Sequence, residues 1–265
     1  HRAAVKIMAS IPELIDGLPS KVTRAKEQEA SEIKKRDGSD NPVSEDRKSL
    51  WASRWTEYQT TFESLKGATK QKALSALIGA YPKSDSRDII VDGLIRFGKD
   101  RGDGGNGVLI EAISDKSESE SAQPAAAALL DDDAKLVTKA MSSKLIDIIG
   151  DAAAPTENRY AALRIMSKVP VKAAIPALIK VVEGNPDIQP IALTELAAEA
   201  LGKLRAPEAV DGLIRCLWLN DHLGRNAVKA CRIALNKIGK SASLDKLIAT
   251  LQRGNKAVED RAKAN

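Results

Sequence analysis

The sequence predicts an all-α solenoid, a superhelix of stacked helix pairs, and three observations carry that prediction. A helix–turn–helix pattern recurs three times at a period of 34–35 residues, a spacing that signals a repeat array. Hydrophobic residues make up 43% of the chain but aromatics only 3%, which suits many thin helix–helix layers better than one globular core. No run approaches the ~20 apolar residues that a membrane span needs, so the chain reads as soluble.

The pattern is clearest over 191–220. Ala197, Ala200, Leu201 and Leu204 fall on one helical face,. Arg205 and Ala206 break the period, and Pro207 suits the first turn of a new helix, where no amide donor is required,. Val210, Leu213, Ile214 and Leu217 then restart it. Shifting back by 35 gives Ala162, Ile165, Met166 and Val169, followed by Ile175 and Leu178–Ile179. Shifting forward by 34 gives Cys231, Ala234, Leu235 and Ile238, followed by Leu244 and Leu247–Ile248. A fourth echo opens the chain: Ala4–Pro12 parallels Ala162–Pro170. The chain thus reads as beginning inside a repeat, as a fragment or processed form would.

These residues resemble the HEAT repeat family, specifically its short HEAT-like units of the phycobilisome-lyase type. That pattern runs roughly Val-Arg-x-x-Ala-Ala-x-Ala-Leu-Gly-x-Leu-Gly-Asp-Pro-x-Ala-Val-x-x-Leu-Ile. Here it is met by Ala197-Ala198-Glu199-Ala200-Leu201-Gly202-Lys203-Leu204, then Pro207-Glu208-Ala209-Val210 and Leu213-Ile214. Arg159 stands at the arginine position and Lys229 close to it, whereas Thr194-Glu195 departs from it. The resemblance covers 156–254 well, 70–150 loosely and 13–69 hardly at all. It implies a solenoid whose first helices line a concave side. Helices 156–169, 189–204 and 225–239 would then turn Arg159, Thr194, Glu195, Arg225, Lys229 and Arg232 toward or near a groove.

In chain order, 1–19 is read as a partial HEAT-like unit and 20–68 as an inserted, charged helical hairpin. The second helix of that hairpin starts at Ser44, a capping residue, with Glu45 and Asp46 at the positive end of the helix dipole,. Trp51, Trp55, Tyr58, Phe62 and Leu65 recur along it at 4-3-4-3 spacing. This seam is expected to pack inward, with partner binding by Trp51 and Trp55 as the other reading. Divergent units fill 69–155: Ala73, Leu74, Leu77 and Ile78, a turn over Tyr81–Asp85, then Ile89, Ile90, Leu94 and Ile95. Gly98–Gly107 lacks the lysine-hydroxyl ending of a phosphate loop and the aspartate spacing of a calcium loop, and is expected to be a mobile connector. A short helix over Val108–Ile113, a polar linker over Asp115–Gln123 and a helix opened by Pro124 follow. Asp131–Asp133 are expected to cap the helix Ala134–Ile149 rather than to hold a metal. Regular units occupy 156–265.

Catalytic chemistry finds no constellation. The two histidines are His1 and His222, and neither is placed at a spacing that would activate Cys216 or Cys231,. Cys216 and Cys231 both fall on core positions and read as small buried hydrophobes, with a disulfide the minor reading,. No cofactor or metal is expected. Residues 221–265 carry ten Lys/Arg against Asp221, Asp245, Glu259 and Asp260, so the net charge of +5 is a property of the C-terminal end. The sequence therefore reads as a non-enzymatic scaffold or adaptor that binds a protein partner. Arg159, Arg225, Lys229, Arg232, Trp51 and Trp55 are the candidate contacts. The alternative is nucleic-acid binding by the basic end, where Arg225, Lys229 and Arg232 stand at i, i+4 and i+7. A bilin lyase activity, implied only by the family's name, has no residues in the repeat signature to carry it. Compartment and oligomeric state are not legible.

Overall fold

The computed structural model describes residues 56–131, 139–184, 189–217 and 221–239, with short pieces at 245–246, 248–250 and 252–253. At 139–140 and 221–225 it describes the backbone alone. The described residues are helical throughout and contain no strand. They fall into two compact units that divide between Ala112 and Ile113. Trp51, Trp55, the partial unit expected over 1–19 and the part of the expected hairpin before residue 56 lie outside the described residues.

In the first unit, α1 (56–64) carries the described part of the aromatic seam. Tyr58, Phe62 and Leu65 are buried, and the Tyr58 hydroxyl donates to the Ile89 carbonyl at 2.9 Å. The ring of Phe62 lies 4.7 Å from Tyr58 and meets Phe97 edge-on at 5.6 Å. Burial is the main reason the Tyr58 hydroxyl is pushed far above its ordinary titration range,. After α2 (Gly67–Ala80) comes α3 (Arg87–Arg96), which receives the seam. Gly93 makes room for it, since a Cβ there would lie 2.6 Å from the Tyr58 hydroxyl and 3.0 Å from Phe62. The turn expected at 81–85 is a 3-10 segment, Tyr81–Lys83.

The glycine-rich stretch is not the mobile connector that the sequence predicts. Gly98–Arg101 forms a 3-10 turn, and α4 runs from Gly102 to Ser114, so the short helix expected at 108–113 begins six residues earlier. Arg101 explains the order. Its side chain is 2% exposed, and its Nε donates to Asn106 Oδ1 at 2.8 Å. A Cβ at Gly105 would lie 2.7 Å from Arg101 Cβ, and one at Gly104 would lie 3.1 Å from Ile78. Glycine is needed here for close approach rather than for mobility.

The second unit holds α5 (Ser119–Asp131), α6 (Lys139–Gly150), α7 (Thr156–Lys168), α8 (Ile175–Val182), α9 (Ile191–Leu204), α10 (Val210–Cys216) and α11 (Asp221–Ile238). Odd-numbered helices pack in one layer, α5 on α7, α7 on α9 and α9 on α11. Even-numbered ones form the second layer, α6 on α8 and α8 on α10. Contacts of α6 with α7, α8 with α9 and α10 with α11 join the layers. This serial, nearest-neighbour packing within the unit is the solenoid plan that the repeat predicts.

Burial follows the repeat position by position. Ala162, Ala197 and Cys231 are buried, as are Ile165, Ala200 and Ala234, and Met166, Leu201 and Leu235. Val169, Leu204 and Ile238 are half-buried in all three copies. Two boundaries differ from expectation. The helix expected to open at Pro124 starts at Ser119, because Ser121 and Ala122 are buried in the stack and packing carries the helix back past the proline. Asp131 closes α5 rather than capping the next helix, and Asp132 and Asp133 lie outside the described residues.

The turn between α9 and α10 shows how the chain reverses. Arg205 adopts the left-handed conformation at φ 51°, its amide bonds back to Gly202 and the Ala206 amide to Leu201. This closes the helix as a Schellman-type end. The resemblance pattern has glycine at this point. Arg205 is exposed, so Arg205→Gly removes only the Cβ penalty and is expected to gain about 0.5–1 kcal/mol in urea denaturation.

Candidate functional site: the groove between α9 and α11

Helical spacing builds the site. Glu195, Ala198, Glu199 and Gly202 lie at i, i+3, i+4 and i+7 on α9,. Asn226, Lys229, Ala230, Ile233, Ala234 and Lys237 make the matching stripe on α11. The two stripes wall a groove of ≈ 380 Å³. The helices come close at Gly202, where a Cβ would lie 2.8 Å from Ala234 Cα and 3.0 Å from its Cβ. Small residues let the backbones meet there.

The walls differ in charge. The α9 side presents Glu195 and Glu199, the α11 side Lys229 and Lys237. Glu199 is engaged by Lys203 at 2.8 Å, and Lys203 also donates to the Ser167 carbonyl at 2.5 Å, which ties α9 to the end of α7. Among the described residues, no ion pair joins Glu195 to Lys229 or Lys237 across the groove. Between these charges Ile233 is 43% exposed, one of two large exposed hydrophobic residues among those described. Both signs of charge and an uncovered aliphatic side chain therefore meet in one concavity.

The candidate contacts separate when placed. Lys229 lines the groove together with Glu195. Arg232 is exposed on α11 outside the lining. Arg225 belongs to α11 by its backbone, and its side chain lies outside the described residues, as do Trp51 and Trp55. Thr194 is buried and receives a hydrogen bond from Gln189 Nε2 at 3.3 Å. Arg159 sits in the first turn of α7, only 8% exposed, and donates through Nη2 to Gln189 Oε1 at 2.9 Å. Gln189 passes the link on to the Val181 carbonyl at 2.7 Å. Burial lowers the Arg159 pKa, and Asp151 opposes that shift,. This arrangement joins successive repeats by their turns.

Sequence reasoning did not single out Ala198, Glu199, Gly202, Asn226, Ile233 or Lys237 as a set. The signal within reach was the pair of i, i+3, i+4, i+7 faces, small on α9 and mixed on α11. For the cysteines, sequence reasoning put the disulfide second to a pair of small buried hydrophobes. Cys216 at the end of α10 and Cys231 within α11 form a disulfide with their Cα atoms 6.4 Å apart, and both are buried. The minor reading of these residues is the one the structure adopts. Their core positions do face each other, on helices from successive steps of the chain. Among the described residues no group of three or more His, Cys, Asp or Glu could hold a metal, and no helix is long and apolar enough to cross a membrane.

Near the Arg159 link, Asp151 is ion-paired with Lys116 and accepts the Ala153 amide at 2.9 Å. The Lys116 contact first, then that amide, hold its carboxyl below the ordinary value of 3.8. A depressed folded-state pKa stabilises the fold above the unfolded value, and the benefit is lost as pH falls through the folded one. Asp151→Asn is accordingly expected to flatten the loss of stability below about pH 4 and to leave the pH dependence near neutrality unchanged. Urea midpoints measured across the acid limb would show this.

Residues 195–217 match the family model described as PBS lyase HEAT-like repeat. No curated protein and no solved structure gives a significant match. The matched stretch spans the groove-facing part of α9, the Arg205 turn and α10, where burial follows the repeat most closely. The chain carries a HEAT-like repeat, set in a serial stack of helices.

Proposed function

We propose that the chain is a non-catalytic scaffold that binds a protein partner through the odd-helix face of its second unit, with the α9–α11 groove as the contact. HEAT-like repeats build helical-repeat proteins that typically mediate protein interactions and are generally non-catalytic. Fold alone does not assign a partner; the observation that carries the reading is the groove itself. Exposed Ile233 is flanked by acidic and basic walls, an arrangement that rewards a partner with complementary charges and an apolar anchor. A nucleic-acid backbone would be repelled by Glu195 and Glu199, which face Lys229 and Lys237,.

The test is capture of a stoichiometric protein by the immobilised full chain, compared with a Lys229→Glu/Ile233→Asp variant. The variant is expected to bind at least about 100-fold more weakly, the loss of an anchor and a charge contact together. Lys180→Glu, at an exposed position on α8, is expected to bind normally. Equal binding by all three proteins would remove the groove from consideration. Salt-dependent binding of unrelated DNA sequences, weakened by Lys229→Glu, would favour nucleic acid instead.

A further inference from the structure

We propose that the Cys216–Cys231 disulfide is a redox latch for the α9–α11 groove: oxidised, it fixes the α11 wall, and reduction by a dithiol releases that wall. The inference rests on the groove being the binding surface and names what controls it.

The argument starts from how α11 is held. Six of the ten groove-lining residues lie on α11. The described buried side chains of α11 are Ala227, Cys231, Ala234 and Leu235, all but Leu235 small, and Ala234 comes close to Gly202 on α9. Such small side chains allow close approach but bury little apolar area each. Toward α10, the fully buried Cys231 is bonded to Cys216. Though short, α10 is well anchored, with Val210, Leu213 and Ile214 all buried. The covalent bond lends α11 the anchorage of α10. It also closes a short loop, 15 residues from cysteine to cysteine, so in the oxidised chain α11 cannot drift far from α10 even when its seam with α9 opens.

The reduction balances simply. One thiolate of the dithiol attacks a protein sulfur, the S–S bond breaks, and the other cysteine leaves as a thiolate. The second dithiol sulfur then displaces the first cysteine and closes the reductant's own disulfide. Two electrons and two protons pass to the protein, which ends with two thiols. Both sulfurs are buried, so attack waits on opening of α11, and the helix that must open is the wall of the groove. The groove is complete in an oxidising compartment, where disulfides persist, and dismantled in a reducing one.

The test uses the purified full chain and dithiothreitol as the dithiol. Maleimide labelling of the unreduced, denatured chain is expected to find neither cysteine free. Amide hydrogen exchange over 226–237 is expected to quicken at least 10-fold after complete reduction, while α7 stays protected. Cys216→Ala/Cys231→Ala, checked for helix content by circular dichroism, is expected to reproduce the reduced pattern without dithiothreitol. Two free thiols in the unreduced chain would overturn the proposal. Unchanged exchange in α11 after reduction would do the same, as would equal loosening of α7 and α11. No partner is needed for this reading. Loss of capture by the Lys229→Glu/Ile233→Asp variant, or its absence, therefore bears on the groove's role alone.

Discussion

Replacing Gly202 by valine is expected to cost the second unit about 3 kcal/mol, the upper end of what overpacking a close seam takes. Even a single Cβ at Gly202 falls 2.8 Å from Ala234 Cα, a backbone atom that no rotamer change can move. The branched side chain must therefore drive α9 and α11 apart, and the groove they wall must widen or collapse. Gly202→Ala is expected to cost less, about 1–2 kcal/mol. Gly79→Ala supplies the control. Gly79 lies within α2 and a Cβ there meets nothing within 4 Å. The same chemical change should stabilise by about 0.5–1 kcal/mol, through helix propensity and reduced unfolded-state entropy. Urea denaturation of the three variants reads both signs, and a neutral Gly202→Val would show that the two helices do not meet there.

Asn158→Leu is expected to destabilise by about 1–3 kcal/mol, chiefly through the donor lost to the Ile113 carbonyl, because the Asp115 carbonyl keeps the Glu118 amide at 3.2 Å. Asn158 is fully buried, and its amide nitrogen donates to the carbonyls of Ile113 at 2.8 Å and Asp115 at 2.9 Å. Ile113 and Asp115 lie at the end of α4, where a helix leaves carbonyls without intrahelical partners. One asparagine on α7 thus caps the helix end that precedes α5. Leucine matches asparagine in size closely enough that the loss reads as polar rather than as a cavity. Asn158→Asp is expected to be at least as costly, because it removes the donor and places a carboxylate against two carbonyls. Chemical denaturation checks both variants. An Asn158→Leu variant as stable as the parent would mean that those carbonyls are solvated.

Much of the second unit was legible because its repeat is written in core positions. Ala162, Ala197 and Cys231 occupy the same place in three successive helices, and their burial follows from period alone. The break at Arg205 and the restart at Pro207 were likewise visible as a lapse in periodicity. What stayed hidden was long-range in each case. The helical state of Gly102–Gly107 depends on Arg101 being buried against glycines with Asn106 as its partner, which local propensity counts as loop chemistry. Asn158 reads as a solvent-facing helix residue until the two distant carbonyls it serves are known.

The groove was half legible. Placing the first helices of each pair on one side puts Glu195 and Lys229 near each other, and both line the one concavity. Arg159 was expected to serve the same surface, but by geometry it is tied up with Gln189. The spacing of Ala198 and Gly202 announces a small-residue face, yet nothing local says that Ala230 and Ala234 lie opposite. For the cysteines the sequence offered core positions, and the 6.4 Å Cα separation that allows a bond is a property of how α10 meets α11,.

Serial packing in the second unit is the claim on which the groove, the latch and the stability predictions all depend. Side-chain nuclear Overhauser contacts in the full chain test it most directly. The account predicts contacts between Gln123 and Arg164, between Ser167 and Lys203, and between Gly202 and Ala234, linking α5, α7, α9 and α11 in sequence. It predicts none between α5 and α11. Contacts joining α5 directly to α11, with those three missing, would mean one central core and would contradict it.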